Sequence, residues 1–373
     1  MSSIATLPII DLDVFLLSTD DKQRISECEK AADALIRYGA LILHDSRVEE
    51  EDNSKFLDLL EDYFAQPIEL LEQDVHPELH YQIGATLENT EKPKCAVHEP
   101  CLNVIKRLEP SERPLDISGH NTDPKSRFFW RMTIPPPYET AFPSINSPNV
   151  VPKAFKGRWE DVLGKWGSTM KQAVNDLARM TAVGLGLEQT FFSEAAKYGP
   201  HILAPTASNL EKHGKKNTIL AGFHTDLNFL TIHGRSRYPG LNIWARNTGK
   251  RIPVVFPKEG KFLLVQAGKQ LEHITGGLIK AGYHEVVVND ATLAAMARRA
   301  ESHPDRPQIR ISSTFFYHLS SDYDLIPITR LTEKAAEHDS GQLLGFDEER
   351  TIYEPIKVGQ QVQNELKHIA LMA

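Results

Sequence analysis

The sequence predicts a mainly β protein with flanking helices, built on a double-stranded β-helix, or jelly-roll, core. Beyond Gly199 the chain passes through short apolar segments at hairpin spacing: ILAP, TILAGF, FLTIHG, LNIW, IPVVF, FLLVQAG, LEHIT, HEVVV and RISSTFFYHL. Turn chemistry such as Asn247 with Gly249, or Gly276 beside Gly277, separates several of them. Many short strands with few helices between them argue for two sheets rolled together, whose mouth can hold a small ligand.

The 373 residues, 41% of them hydrophobic, can bury a full core. Three parts are expected: an α/β region over 1–150, the roll with its preceding long helix over 151–325, and a C-terminal tail with a helix over 326–373. A net charge of -8 excludes a general nucleic-acid binder, which needs a basic field. Cys28, Cys95 and Cys101 cannot all pair and form no CxxC, so a reducing compartment is expected. The N-terminus lacks a charged segment followed by a long apolar run, and no stretch reaches bilayer-spanning length. A cytoplasmic protein without a membrane partner is the corresponding expectation.

In order, Leu7, Ile9 and Ile10 predict a strand that ends near Asp11. Lys22 to Tyr38 has helical spacing and stops at Gly39, after which ALIL makes a buried strand. A second amphipathic helix runs from Asp52 to Phe64. From Glu69 to Asn149 prolines are frequent, and loops with short strands are expected. Within it the RFFWR patch reads as a strand with Phe128 and Trp130 in the core. Trp159, Leu163, Trp166, Met170, Val174 and Leu177 recur every three or four residues, the stripe of a long helix packed on a sheet. The charged helical segment from Asp290 to Pro307 reads as a solvated excursion between the last strands, and NELKHIALMA as a docked terminal helix.

The chemistry concentrates between Ala221 and Leu319. His224 and Asp226 stand two apart in AGFHTDLNF, a spacing that sends both side chains to one side of a strand. His284 in AGYHEVV can complete a half-shell. Two imidazoles and one carboxylate, with the opposite positions open, suit a non-haem Fe(II) that handles dioxygen. Arg310 and Ser312 repeat the two-residue spacing, offering a guanidinium fork beside a hydroxyl to a carboxylate.

HTD, the distal His and the RIS triplet, in this order, resemble the motifs of the Fe(II)/2-oxoglutarate-dependent dioxygenases, in the isopenicillin-N-synthase-like branch. LPIIDLDVF, CEKAADALIRYGALIL and FFWRMTIPPP extend the likeness over most of the chain. The resemblance implies Fe(II) on His224, Asp226 and His284, and 2-oxoglutarate gripped by Arg310 and Ser312. It implies hydroxylation, desaturation or cyclisation of a small organic molecule by dioxygen, with release of succinate and CO2. By the same resemblance Arg131 lies near the mouth of the site, as a substrate contact or as half of a surface ion pair. His233, at the parity of Thr231, is either a second substrate contact or a core residue.

Two departures stand out. The branch often carries a tyrosine on the co-substrate before the HTD strand, whereas ILAPTASNL has none; Thr206, Ser208 or Asn209 could stand in. Lys269 replaces an acidic residue in the turn before the distal His. The missing tyrosine keeps open an iron oxidase of the same fold that needs no 2-oxoglutarate. A reading of another class is a catalytically silent roll acting as a binding module.

Overall fold

The structure is a computed structural model that describes residues 6–91, 95, 98–115, 122–257, 260–341 and 351–368, with side chains left out of the description at 338–341 and 368. Its strands are β1 (Ile9–Asp11), β2 (Ala40–His44), β3 (Gly84–Thr86), β4 (Ser126–Arg131), β5 (Ile202–Leu203), β6 (Thr206–Asn209), β7 (Ile219–His224), β8 (Leu230–His233), β9 (Leu241–Trp244), β10 (Arg251–Pro253), β11 (Phe262–Ala267), β12 (Tyr283–Val287), β13 (Ile309–Ser312), β14 (Thr314–Tyr317), β15 (Asp324–Leu325) and β16 (Ile356–Lys357). One large sheet runs β1-β2-β11-β8-β14-β5-β4-β6-β13, with β3 on β4, and a four-stranded sheet runs β10-β9-β12-β7. These two sheets form the jelly roll. Chain neighbours are seldom sheet neighbours, as a roll requires.

The N-terminal part joins this roll rather than standing beside it. β2 pairs with β11 over five residues, so the strand after the first long helix belongs to the same sheet as the core. That helix, Asp21–Tyr38, is capped by the Asp20 side chain and ends at Gly39, whose φ of 67° lies in the left-handed region that glycine adopts without steric cost. The helix Trp159–Gly184 buries Trp159, Leu163, Trp166, Met170, Val174 and Leu177 against the large sheet. Each such side chain contributes about 1.5–3 kcal/mol relative to exposure. Trp166 also donates Nε1–H to Ser313 Oγ at 2.7 Å, which pins the break between β13 and β14.

Four expectations change. LEHIT is not a strand: Lys269–Ile274 is a short helix in which Thr275 Oγ1 donates back to the Leu271 carbonyl at 2.8 Å. Among the described residues of the proline-rich stretch, Glu99–Arg107 is a helix whose Cys101 and Val104 pack against Phe223, Trp244 and Tyr283. Cys95 and Cys101 form a disulfide and only Cys28 is free, so the expectation of unpaired thiols fails for two of the three. The Asp290–Ser302 helix is docked rather than solvated. Leu293, Ala295 and Met296 pack on Leu220 and Tyr238, and Arg299 reaches Glu61 at 2.7 Å. No helix among the described residues is long and apolar enough to cross a membrane.

Candidate functional site

The two sheets diverge around a cavity of about 370 Å³. At its wall β7 and β12 lie antiparallel with His284 directly opposite His224, which sends both imidazoles to the same side. Their ring centroids are 4.2 Å apart. Asp226 follows as β7 ends, and its Oδ1 lies 3.8 Å from His224 Nε2 and 3.9 Å from His284 Nε2. One ligand atom from each of the three residues falls within 4.8 Å of the others. Sequence spacing placed two of these side chains together; the fold adds the third across sixty residues.

The supporting bonds decide which atoms face the gap. His224 Nδ1 meets the Gly222 carbonyl at 2.6 Å and His284 Nδ1 meets the Gly282 carbonyl at 3.4 Å. With Nδ1–H donating, each Nε2 lone pair points at the shared point. Thr231 Oγ1 donates to Asp226 Oδ2 at 2.6 Å, leaving Oδ1 for the same point. This is the outer layer that orients ligands in metal sites. Burial, with help from His224, pushes the His284 imidazole down to about 3, so it is neutral and able to donate its lone pair. Burial raises the Asp226 carboxyl, but the imidazoles of His284 and His224 outweigh it and hold the group below its usual range. Two neutral imidazoles and an ionised carboxylate fit Fe(II).

Arg310 lies on β13, opposite Ser208 of β6, with Ser312 opposite Thr206. The guanidinium is buried and donates Nε–H to the Tyr238 carbonyl at 3.1 Å and Nη1–H to Ser312 Oγ at 2.6 Å. Burial alone lowers its pKa to about 10. No acidic side chain offsets its charge among the described residues, which is costly unless an anion arrives. Ser312 and Thr206 both line the cavity. Of the three proposed stand-ins for the family tyrosine, Thr206 therefore faces the cavity, whereas Asn209 caps a short helix by accepting from Glu211 and Lys212.

His233 lines the cavity with both nitrogens engaged, Nδ1 with Thr314 Oγ1 at 3.1 Å and Nε2 with the Gln266 amide at 2.9 Å. Arg131 is corrected on both of its readings. It is not among the lining residues; it donates to the backbone carbonyls of Ser147 at 3.0 Å and Gln82 at 3.3 Å, and no acidic partner is found among the described residues. It ties a loop to β4. The same strand places Arg127 and Phe129 in the cavity wall, with Glu91, Asp123 and Lys125 beside them. Strand parity was the available signal: with Phe128 and Trp130 in the core, Arg127, Phe129 and Arg131 share the other face. The terminal helix Val358–His368 contributes Val362 and Leu366, which pack on Phe142 and Ile145 and close one side.

Residues 192–319 match the family described as the 2OG-Fe(II) oxygenase superfamily, a span that contains both sheet-borne motifs. Among curated relatives, the chain is 26% identical over 226 residues to clavatol oxidase claD of Penicillium crustosum, covering 55% of this chain and 58% of that one. It is 26% identical over 179 residues to the 2'-deoxymugineic-acid 2'-dioxygenase of Hordeum vulgare, covering 47% of this chain and 49% of that one. The chain spans no more than about three fifths of the curated relatives it matches, and 23% of one of them. Its fold is similar to that of a 2OG-Fe(II) oxygenase family protein from Caulobacter crescentus, with a TM-score of 0.68, 20% identity, and coverage of 99% of this chain and 100% of that one. The matched motifs, their order and the shared fold agree: the chain belongs to the 2OG-Fe(II) oxygenase superfamily.

Proposed function

We propose that the protein is a non-haem Fe(II) and 2-oxoglutarate-dependent oxygenase that oxidises a small organic molecule. One observation carries this reading: the unbonded nitrogens of His224 and His284 and one oxygen of Asp226 aim at a single point in a cavity that also contains the uncompensated Arg310 fork. The printed activities of the relatives, an oxidase and a dioxygenase, support redox chemistry on small molecules.

His224, Asp226 and His284 would hold the iron by three positions. When bound, Fe(II) supplies the electrons that couple dioxygen to oxidative decarboxylation of 2-oxoglutarate, giving succinate and CO2. The protein's part is orientation. Thr231 and the Gly222 and Gly282 carbonyls fix the ligand atoms, and Arg310 with Ser312 holds the far carboxylate of 2-oxoglutarate in register. His233, neutral because burial lowers it to about 4, adds no charge to the wall it forms. Val362 and Leu366 keep water from one side of the cavity. Which carbon reacts is set by the remaining wall. Hydroxylation is the simplest outcome, with desaturation and ring closure as other fates of the same oxidation.

An iron oxidase that dispenses with 2-oxoglutarate would have no use for a buried cation without a counter-charge, and the silent module would have no use for the ligand orientation. Succinate release from 2-oxoglutarate by Fe(II)-loaded protein tests the proposal. Turnover is expected to vanish in Asp226→Ala; full turnover in that variant would rule it out.

A further inference from the structure

We propose that Arg127 is the specificity-determining contact of the cavity, and that it receives an uncharged acceptor, a ketone, amide or phenol oxygen carried on a planar apolar molecule. The inference rests on the reading above, which gives the carboxylate of the co-substrate to Arg310.

Three observations place this contact. First, Arg127 Nη1 is ion-paired with Glu91, while its Nε and Nη2 are buried and have no partner. Those two atoms form the edge of the guanidinium whose parallel N–H groups ordinarily receive two oxygens. Buried donors are rarely left unmade, because each costs the desolvation it never recovers. Second, the guanidinium carbon sits 4.1 Å above the Phe129 ring, and Phe129 meets Phe316 edge-on at 6.2 Å. All three residues line the cavity, so an acceptor reaching Arg127 has an aromatic surface beside it. Third, the register puts Arg127 opposite Thr206 and Thr206 opposite Ser312. At about 4.8 Å per strand, Arg127 stands roughly 10 Å from Ser312, past the grip on 2-oxoglutarate.

The charge of the acceptor follows from the neighbours. Lys125 lies 2.8 Å from Asp123 and 3.4 Å from Glu91. With Arg127 on Glu91, two cations balance two anions. A carboxylate brought to this group would add an uncompensated charge to a desolvated site, whereas a neutral oxygen would complete the hydrogen bonds and leave the balance intact. Lys269 is already matched by Glu272 at 3.0 Å. The cavity thus has one basic residue awaiting an anion and another awaiting a dipole.

The test uses the full chain loaded with zinc(II) and 2-oxoglutarate, and ligand-observed NMR with matched aromatic pairs: acetophenone and benzamide against benzoate, and their hydroxylated and bicyclic homologues. The expected hits are ketones and amides, weakened about tenfold in the charge-balanced double variant Arg127→Gln/Glu91→Gln and in Arg127→Lys, which keeps charge but loses the fork. Glu91→Gln alone is expected to turn the preference toward the benzoates. Hits that are benzoates in the unmodified protein and depend on Arg127 would overturn the inference, and so would a panel in which no hit depends on Arg127. Binding of 2-oxoglutarate is followed in the same samples. If it binds through Arg310 while the panel ignores Arg127, only this inference fails; if it does not bind, the functional reading fails with it.

Discussion

Arg310 and Arg127 occupy one interior face of the same large sheet, yet their surroundings are opposite. Arg310 is buried against a carbonyl and a hydroxyl with no counter-ion among the described residues, whereas Arg127 is paired with Glu91 inside a balanced group of four charges. A buried cation without a partner is an anion site held in readiness, because the energy of its desolvation is recovered only when the anion binds. A compensated cation has lost that pull and keeps only the directional part of its donors. The same side chain therefore serves two chemistries, and the neighbours decide which.

The largest effect should come from breaking the uncompensated end. Arg310→Gln is expected to weaken 2-oxoglutarate binding by about 100-fold or more, since removing one partner of a buried charge-assisted pair costs roughly 3 kcal/mol; anaerobic calorimetry reads it, with Fe(II) binding unchanged. At the compensated end, Glu91→Gln leaves Arg127 without its counter-charge and should cost about 3 kcal/mol of stability in urea unfolding, while 2-oxoglutarate affinity stays within about twofold. If both variants behaved alike, the contrast between the two arginines would be lost.

His233, between the two ends, offers a pH test of similar size. Burial lowers its imidazole from 6.5 to about 4. The unfolded chain takes up a proton below about pH 6.5 that the folded ring refuses. Its stability contribution is therefore full above that pH and is lost as pH falls toward 4, by roughly 3 kcal/mol. His233→Gln is expected to flatten the metal-free protein's stability profile over that window. Smaller effects should stay local. Thr231→Val removes the 2.6 Å bond to Asp226 and is expected to weaken Fe(II) about tenfold. Ser312→Ala, measured by the same calorimetry, is expected to weaken 2-oxoglutarate by about 1 kcal/mol.

The sequence made the metal half of the site legible because its geometry is local. Two-residue spacing puts His224 with Asp226 and Arg310 with Ser312, and only His284 depends on tertiary pairing. The polar half was not legible for a different reason. Glu91, Asp123, Lys125 and Arg127 come from separate loops and a strand edge, and charge balance among them exists only after folding. Arg131 drew attention as the residue at the end of a distinctive patch, but its neighbours turned out to be backbone carbonyls. The helix at Lys269–Ile274 escaped because a short apolar run reads equally as strand or helix. The Cys95–Cys101 disulfide escaped because spacing alone does not reveal pairing.

The convergence of His224, Asp226 and His284 on one metal underlies both arginine assignments. The direct measurement is the iron content of protein equilibrated anaerobically with Fe(II), compared with Asp226→Ala. One iron per chain in the unmodified protein and about a tenth of that in the variant are expected. Equal iron in both would contradict the assignment.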